Sequence, residues 1–115
     1  MESKLFTEDI IKYMRDQIED ARGQEVFFQG SYDGNQELLT SIKAVSRGNE
    51  SMAPAIISNL KPGNVVIHNH PSGDLRPSPA DIRIASKLGN QGIGFIIVNN
   101  DLTDSYIVVS PDSID

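Results

Sequence analysis

Apolar positions along the chain recur with two different periods, and the switches between those periods outline the elements. Ile10, Ile11, Met14 and Ile18 fall at helical spacing, predicting an amphipathic helix over residues 8 to 22 with Thr7 as N-cap, Glu8 and Asp9 in its first turn and Gly23 as its stop. From Glu25 onward Val26, Phe27 and Phe28 read as a strand, and Asp33-Gly34-Asn35 is a hairpin signal before a second strand over residues 37 to 46. These two strands are expected to pair antiparallel. Met52, Ile56, Ile57 and Leu60 form a short helical pattern with Pro54 in its first turn, and Lys61-Pro62-Gly63-Asn64 then turns the chain. Val65-Val66-Ile67 is a short apolar run that ends at His68 and His70, the pattern of a buried strand. A loop rich in Pro, Ser and Gly leads into a helix from about residue 79 to 88, closed by Gly89 and Gly92. Two last strands, residues 93 to 98 and 103 to 109, flank Asn99-Asn100-Asp101.

The order α-β-β-α-β-α-β-β predicts an α/β fold of α+β mixed character, a mixed sheet packed between helices. Ile10, Met14, Ile18, Phe27, Val66, Ile84, Leu88 and Ile96 are its expected core. At 115 residues the chain suits one domain, taken as residues 1 to 110, with 111 to 115 as a tail or the start of a linker to a further domain after Asp115.

Composition narrows the chemistry. Ten basic against 16 acidic residues give a formal charge of −6, which repels phosphate backbones and argues against direct nucleic-acid contact. There is no cysteine, so disulfides, thiolate zinc clusters and cysteine nucleophiles are excluded and a metal must use nitrogen and oxygen ligands. No apolar stretch approaches membrane-spanning length, and the acidic opening does not resemble a signal peptide. A soluble cytoplasmic protein is expected.

His68 and His70 are the two histidines of the chain. Two residues apart on a strand they face the same side, within reach of one ion. A third ligand must come from elsewhere, and Asp81, in the first turn of the helix beyond the loop, is the candidate. Two imidazoles and a carboxylate leave a tetrahedral zinc one open position, the mark of a catalytic site, where water is acidified if a nearby carboxylate takes its proton. Glu25 is the candidate base, with Glu37 and Glu50 as alternatives. Plainer readings exist for each residue. Ser78-Pro79-Ala80-Asp81 is a good capping box by itself, the histidines can mark a polar loop edge, and an acid before a strand is usually just solvated. Asn69, between the histidines, is expected to face the opposite side without a catalytic role.

His68-Asn69-His70, followed after seven residues by Ser78-Pro79-Ala80-Asp81, matches the signature of the JAMM (JAB1/MPN/Mov34) metalloenzymes. Within that superfamily His68-Asn69-His70-Pro71-Ser72-Gly73-Asp74 resembles bacterial RadC-type JAB domains, as do Glu25-Val26-Phe27-Phe28 and Arg47-Gly48-Asn49, so that the likeness spans residues 20 to 110. It implies a JAMM/cytidine-deaminase-like fold, one Zn2+ on His68, His70 and Asp81, Glu25 as general base, and Ser78 as donor to the oxyanion of a metallopeptidase or isopeptidase acting on a peptide or protein conjugate. The chain departs from many RadC-type domains at Gly94-Phe95, where those carry an Asp-His pair. RadC-type domains have been tied to DNA repair, and similar JAB domains precede DinG-like helicases. The likeness therefore also admits a non-catalytic interaction or regulatory module attached to such a protein.

Overall fold

The structure, a computed structural model, describes residues 6–32, 39–47 and 59–110. In chain order these residues form α1 (Glu8–Asp20), β1 (Val26–Tyr32), β2 (Leu39–Arg47), β3 (Asn64–Asn69), α2 (Pro79–Gly89), β4 (Gly94–Val98) and β5 (Ser105–Val109). One five-stranded mixed sheet has the order β2-β1-β3-β4-β5. Only β3 and β4 run parallel, and α2 is the crossover between them, because a parallel pair cannot be joined by a tight turn. β1 pairs antiparallel with β2, as expected, and with β3 through the register Phe27↔His68 to Ser31↔Asn64.

Strand alternation gives the sheet two apolar faces, and among the described residues α1 packs on one and α2 on the other. On one face Ile10, Met14 and Ile18 of α1 pack with Val26, Phe28 and Ile67. On the other Ala85 and Leu88 of α2 pack with Phe27, Val66 and Phe95. Burying each of these larger side chains contributes roughly 1.5–3 kcal/mol against leaving it in water. Of the expected core, Ile84 alone is only partly buried, at the margin of the α2 face.

Several boundaries shift for local reasons. α1 stops at Asp20 rather than 22, because Arg22 and Gly23 both take left-handed backbone (φ 60° and 79°) and the Gly23 amide returns to the Ile18 carbonyl at 2.9 Å. Asn59 and Leu60, expected to end a helix, are non-helical; Lys61, which precedes Pro62, is held out of the helical region by the proline ring, and the chain has already left the helix before it. Residues 52 to 58 of that predicted helix, the Asp33-Gly34-Asn35 turn, Glu37, Glu50 and the tail from 111 lie outside the described residues. β3 runs to Asn69, so His68 lies at the C-terminal end of the strand, as expected, and His70 just beyond it. β5 starts at Ser105 rather than 103, because the Asn99 side-chain oxygen accepts from the amides of Thr103 (2.9 Å) and Asp104 (3.1 Å) and lengthens the turn. Among the described residues no helix is long and apolar enough to cross a membrane.

Candidate metal centre

The sheet and α2 bring the predicted residues to one place, the C-terminal end of the parallel pair. His68 lies on the α2 face of β3, opposite Phe27 of β1. His70 follows two residues on, its amide donating to the Val98 carbonyl of β4 at 2.9 Å. The loop after it returns quickly. Gly73, in left-handed backbone (φ 87°), donates its amide to the His70 carbonyl at 2.9 Å, and this aims the Asp74 carbonyl at His70 Nδ1, 2.7 Å away. α2 then starts with its first turn against both histidines.

Asp81 is the hub. One carboxylate oxygen, Oδ1, is 3.0 Å from His68 Nε2, and the other, Oδ2, is 2.9 Å from His70 Nε2. Oδ2 also accepts the Ser78 amide at 2.8 Å, while Ser78 Oγ accepts the Asp81 amide at 3.1 Å. The full capping box is thus present, and Asp81 performs the capping and the histidine contact together instead of choosing between them. Ser78 is exposed, and its Oγ, which here accepts the Asp81 amide, also carries an O–H that can donate. Glu25 stands on the other side, with Oε2 3.8 Å from His68 Nδ1. Ligand atoms of Glu25, His68 and His70 all lie within 4.8 Å of one another, so the residue expected to stand near a metal without touching it is within reach of the same ion. Neighbouring ligands of a tetrahedral ion with bonds of 2.0–2.1 Å are about 3.3 Å apart. Among the described residues the set of mutually close ligand atoms is that of Glu25, His68 and His70, while Asp81, the expected third ligand, meets the two imidazoles at 3.0 and 2.9 Å through different oxygens.

The protonation logic calls for positive charge. The Asp74 carbonyl can only accept, so His70 Nδ1 carries the hydrogen and Nε2 of the neutral ring offers a lone pair to a carboxylate that is also only an acceptor. His68 is 2% exposed, and neither of its ring nitrogens makes a hydrogen bond among the described residues. His68 Nε2 and His70 Nε2 both face the Asp81 carboxylate, an arrangement balanced by a proton on the facing nitrogen or by a cation shared between them. Burial pushes the Asp81 carboxyl up, but the His68 imidazole and the Ser78 amide and hydroxyl outweigh it and hold the group well below the usual carboxylate range. It is therefore ionised at neutral pH, as a metal ligand must be. The donor set fits a divalent ion.

Other residues that shape the site drew little notice in the sequence. His68 lies between Phe27 (ring centroids 4.6 Å apart, planes at 8°) and Phe95 (5.3 Å, 27°), a slot that fixes its ring plane. Phe95 belongs to the dipeptide at which the chain departs from many RadC-type domains. Asn69 does face away, toward α1, but it is fully buried and bonded on both sides of Glu25. The sequence signal available for it was a polar residue in an otherwise apolar strand face.

Fold and site together define a class: an α/β domain with two histidines and nearby carboxylates grouped, at the end of a parallel strand pair, where they could hold a metal ion. The chain belongs to the RadC-like JAB domain family, which matches residues 5–113. Among curated relatives, a UPF0758 protein of Pelodictyon phaeoclathratiforme is 26% identical over 106 residues, covering 87% of this chain and 46% of the relative. A UPF0758 protein of Chlorobaculum parvum is 28% identical over 107 residues, 82% of this chain and 48% of the relative. The chain thus spans less than half the length of these relatives. A solved JAB1/MPN domain protein of Archaeoglobus fulgidus shares the fold with a TM-score of 0.56 at 17% identity, over 100% of this chain and 95% of that one.

Proposed function

We propose that the domain is a zinc-dependent hydrolase of amide bonds, acting on a peptide or an isopeptide linkage in a protein conjugate. The observation that carries this reading is the buried His68, its two nitrogens without hydrogen bonds, converging with His70 on the Asp81 carboxylate while a second carboxylate, Glu25, stands alongside. Imidazole and carboxylate donors without thiolate suit Zn2+ in a catalytic rather than a structural site. In this reading His68, His70 and Asp81 would hold the ion, which would supply Lewis acidity and lower the pKa of water at the site.

The remaining chemistry belongs to the chain. Glu25, 37% exposed against 6% for the Asp81 side chain, is the carboxylate with room to exchange protons, and it takes one from the attacking water and delivers it to the leaving amine. The Ser78 hydroxyl donates to the oxyanion as charge develops on it. The Asp74 carbonyl keeps His70 in the tautomer whose Nε2 faces the ion. Phe27 and Phe95 hold the His68 ring plane and keep water from it.

The experiment is elemental analysis of the purified protein followed by a panel of quenched fluorescent peptides and an isopeptide-linked lysine conjugate, with Glu25→Gln as control. About one zinc per chain and cleavage that falls by roughly 10²–10⁴-fold in the control are expected. A zinc-free wild type, or a control as active as wild type, refutes the hydrolase.

A further inference from the structure

We infer that Asn69, backed by Asn100, is a positioning residue that fixes the Glu25 segment against the two histidines. The proposal rests on the hydrolase reading for what Glu25 does, and on the structure alone for how Glu25 is held.

Glu25 lies just outside the regular sheet. The backbone ladder between β1 and β3 ends at Phe27↔His68, so the residues on the Gln24 side of that pair have no strand partner across β3. Asn69 supplies one from its side chain. Its Oδ1 accepts the Val26 amide at 2.8 Å, and its Nδ2 donates to the Gln24 carbonyl at 3.2 Å. The two bonds bracket Glu25 on either side, and both come from the residue between the histidines. The same Nδ2 donates to Asn100 Oδ1 at 2.6 Å, and Asn100 Nδ2 donates to the Gly23 carbonyl at 3.2 Å. Gly23, Gln24 and Val26 are thus tied to one two-residue amide relay.

Geometry makes the relay selective. Asn69 is fully buried on the α1 face, so it cannot touch a substrate bound among His68, His70 and α2 on the other face. An amide is also the side chain the position requires, because one partner is a donor and the others are acceptors. Aspartate leaves the Gln24 carbonyl facing an acceptor, and leucine leaves the Val26 amide unpaired. Asn100 is kept in place by a turn that Arg15 of α1 also grips, through two donors to the Asp101 carbonyl at 3.0 and 3.3 Å. Holding a base to within a fraction of an ångström matters, since a displacement of about 1 Å can cost about 10²-fold in rate.

The test uses Asn69→Ala and the milder Asn100→Ala, the latter in case loss of a buried side chain prevents folding. In the 15N-labelled protein the amide order parameters at Glu25 and Val26 are expected to fall from about 0.85 to below about 0.7, while Ile67 in the centre of β3 is unchanged. Affinity for ZnCl2 by calorimetry stays within about threefold, since the imidazole and Asp81 contacts are untouched. With the best peptide of the panel, kcat falls by about 10–100-fold with KM unchanged, and neither substitution lowers the residual rate further in a Glu25→Gln background. Unchanged order at Glu25 and Val26 overturns the proposal, as does a kinetic loss that persists undiminished in the Glu25→Gln background or that follows zinc affinity. A wild type that binds zinc and cleaves no peptide refutes the hydrolase instead, and the order parameters still decide whether the relay holds Glu25.

Discussion

In the proposed reading Asp81 serves a helix cap and a metal site with the same carboxylate, and two substitutions at this position separate those roles. In Asp81→Ala the Ser78 amide loses its partner and the first turn of α2 loses its negative charge. Ser78 is exposed, so water replaces the lost acceptor and the hydrogen bond counts for about 1 kcal/mol. The charge at the helix N-terminus adds about 0.3–1 kcal/mol. Metal-free Asp81→Ala is therefore expected to be about 1–2 kcal/mol less stable than wild type. In Asp81→Asn the amide oxygen still accepts from Ser78 and only the charge contribution goes, so the metal-free loss stays below about 1 kcal/mol. Zinc binding behaves differently, because neither alanine nor a neutral amide replaces a carboxylate ligand, and both variants should lose more than about 100-fold in affinity. Urea unfolding in the presence of a chelator measures the first effect, and competition with a chromophoric zinc chelator the second. Wild-type zinc affinity in Asp81→Asn would refute the ligand assignment. Equal metal-free stability of Asp81→Ala and wild type would refute the account of the cap.

Further predictions follow from neighbouring contacts. Glu25→Gln should keep zinc affinity within about threefold while lowering turnover by roughly 10²–10⁴-fold; a large fall in affinity, read by calorimetry, would instead make Glu25 a ligand. Phe27→Leu keeps much of the buried volume but removes the ring stacked on His68. It should lower chelator-treated stability by about 1–1.5 kcal/mol in urea and weaken zinc binding; unaltered binding would show that the stack does not hold the ring. Because the folded Asp81 carboxyl is held below its ordinary value of 3.8, the unfolded chain binds the extra proton in acid. Its contribution is full above about pH 5 and declines as pH falls toward the lowered folded value, so metal-free wild type should lose stability more steeply than Asp81→Asn between about pH 5 and pH 2. Parallel acid limbs in the two proteins would contradict that. Saturating zinc at about 1,000 times its dissociation constant should raise unfolding stability by about 4 kcal/mol, reversibly with chelator, in thermal or urea melts.

Some of this protein was set by local sequence alone. The helical spacing of Ile10, Met14 and Ile18, the Ser78-Pro79-Ala80-Asp81 start of α2 and the apolar run into His68 act through neighbours along the chain, and the helices and strand formed where those patterns lie. The strand period also put His68 and His70 on one face and Asn69 on the other. Boundaries moved where a long-range or side-chain bond competed, as when Asn99 closed the turn before β5.

What surrounds the histidines was decided by the tertiary structure, because it depends on which strands become neighbours. That Phe27 and Phe95, 68 residues apart in number, enclose one imidazole follows from β1 and β4 flanking β3. That Asp81 meets both rings with its two oxygens while still capping α2 follows from where the crossover lands. Asn69 shows the division most sharply: its direction was legible from alternation, but its hold on Gln24 and Val26 was not, since hydrogen-bond partners 43 and 45 residues away exist only once the strands have paired.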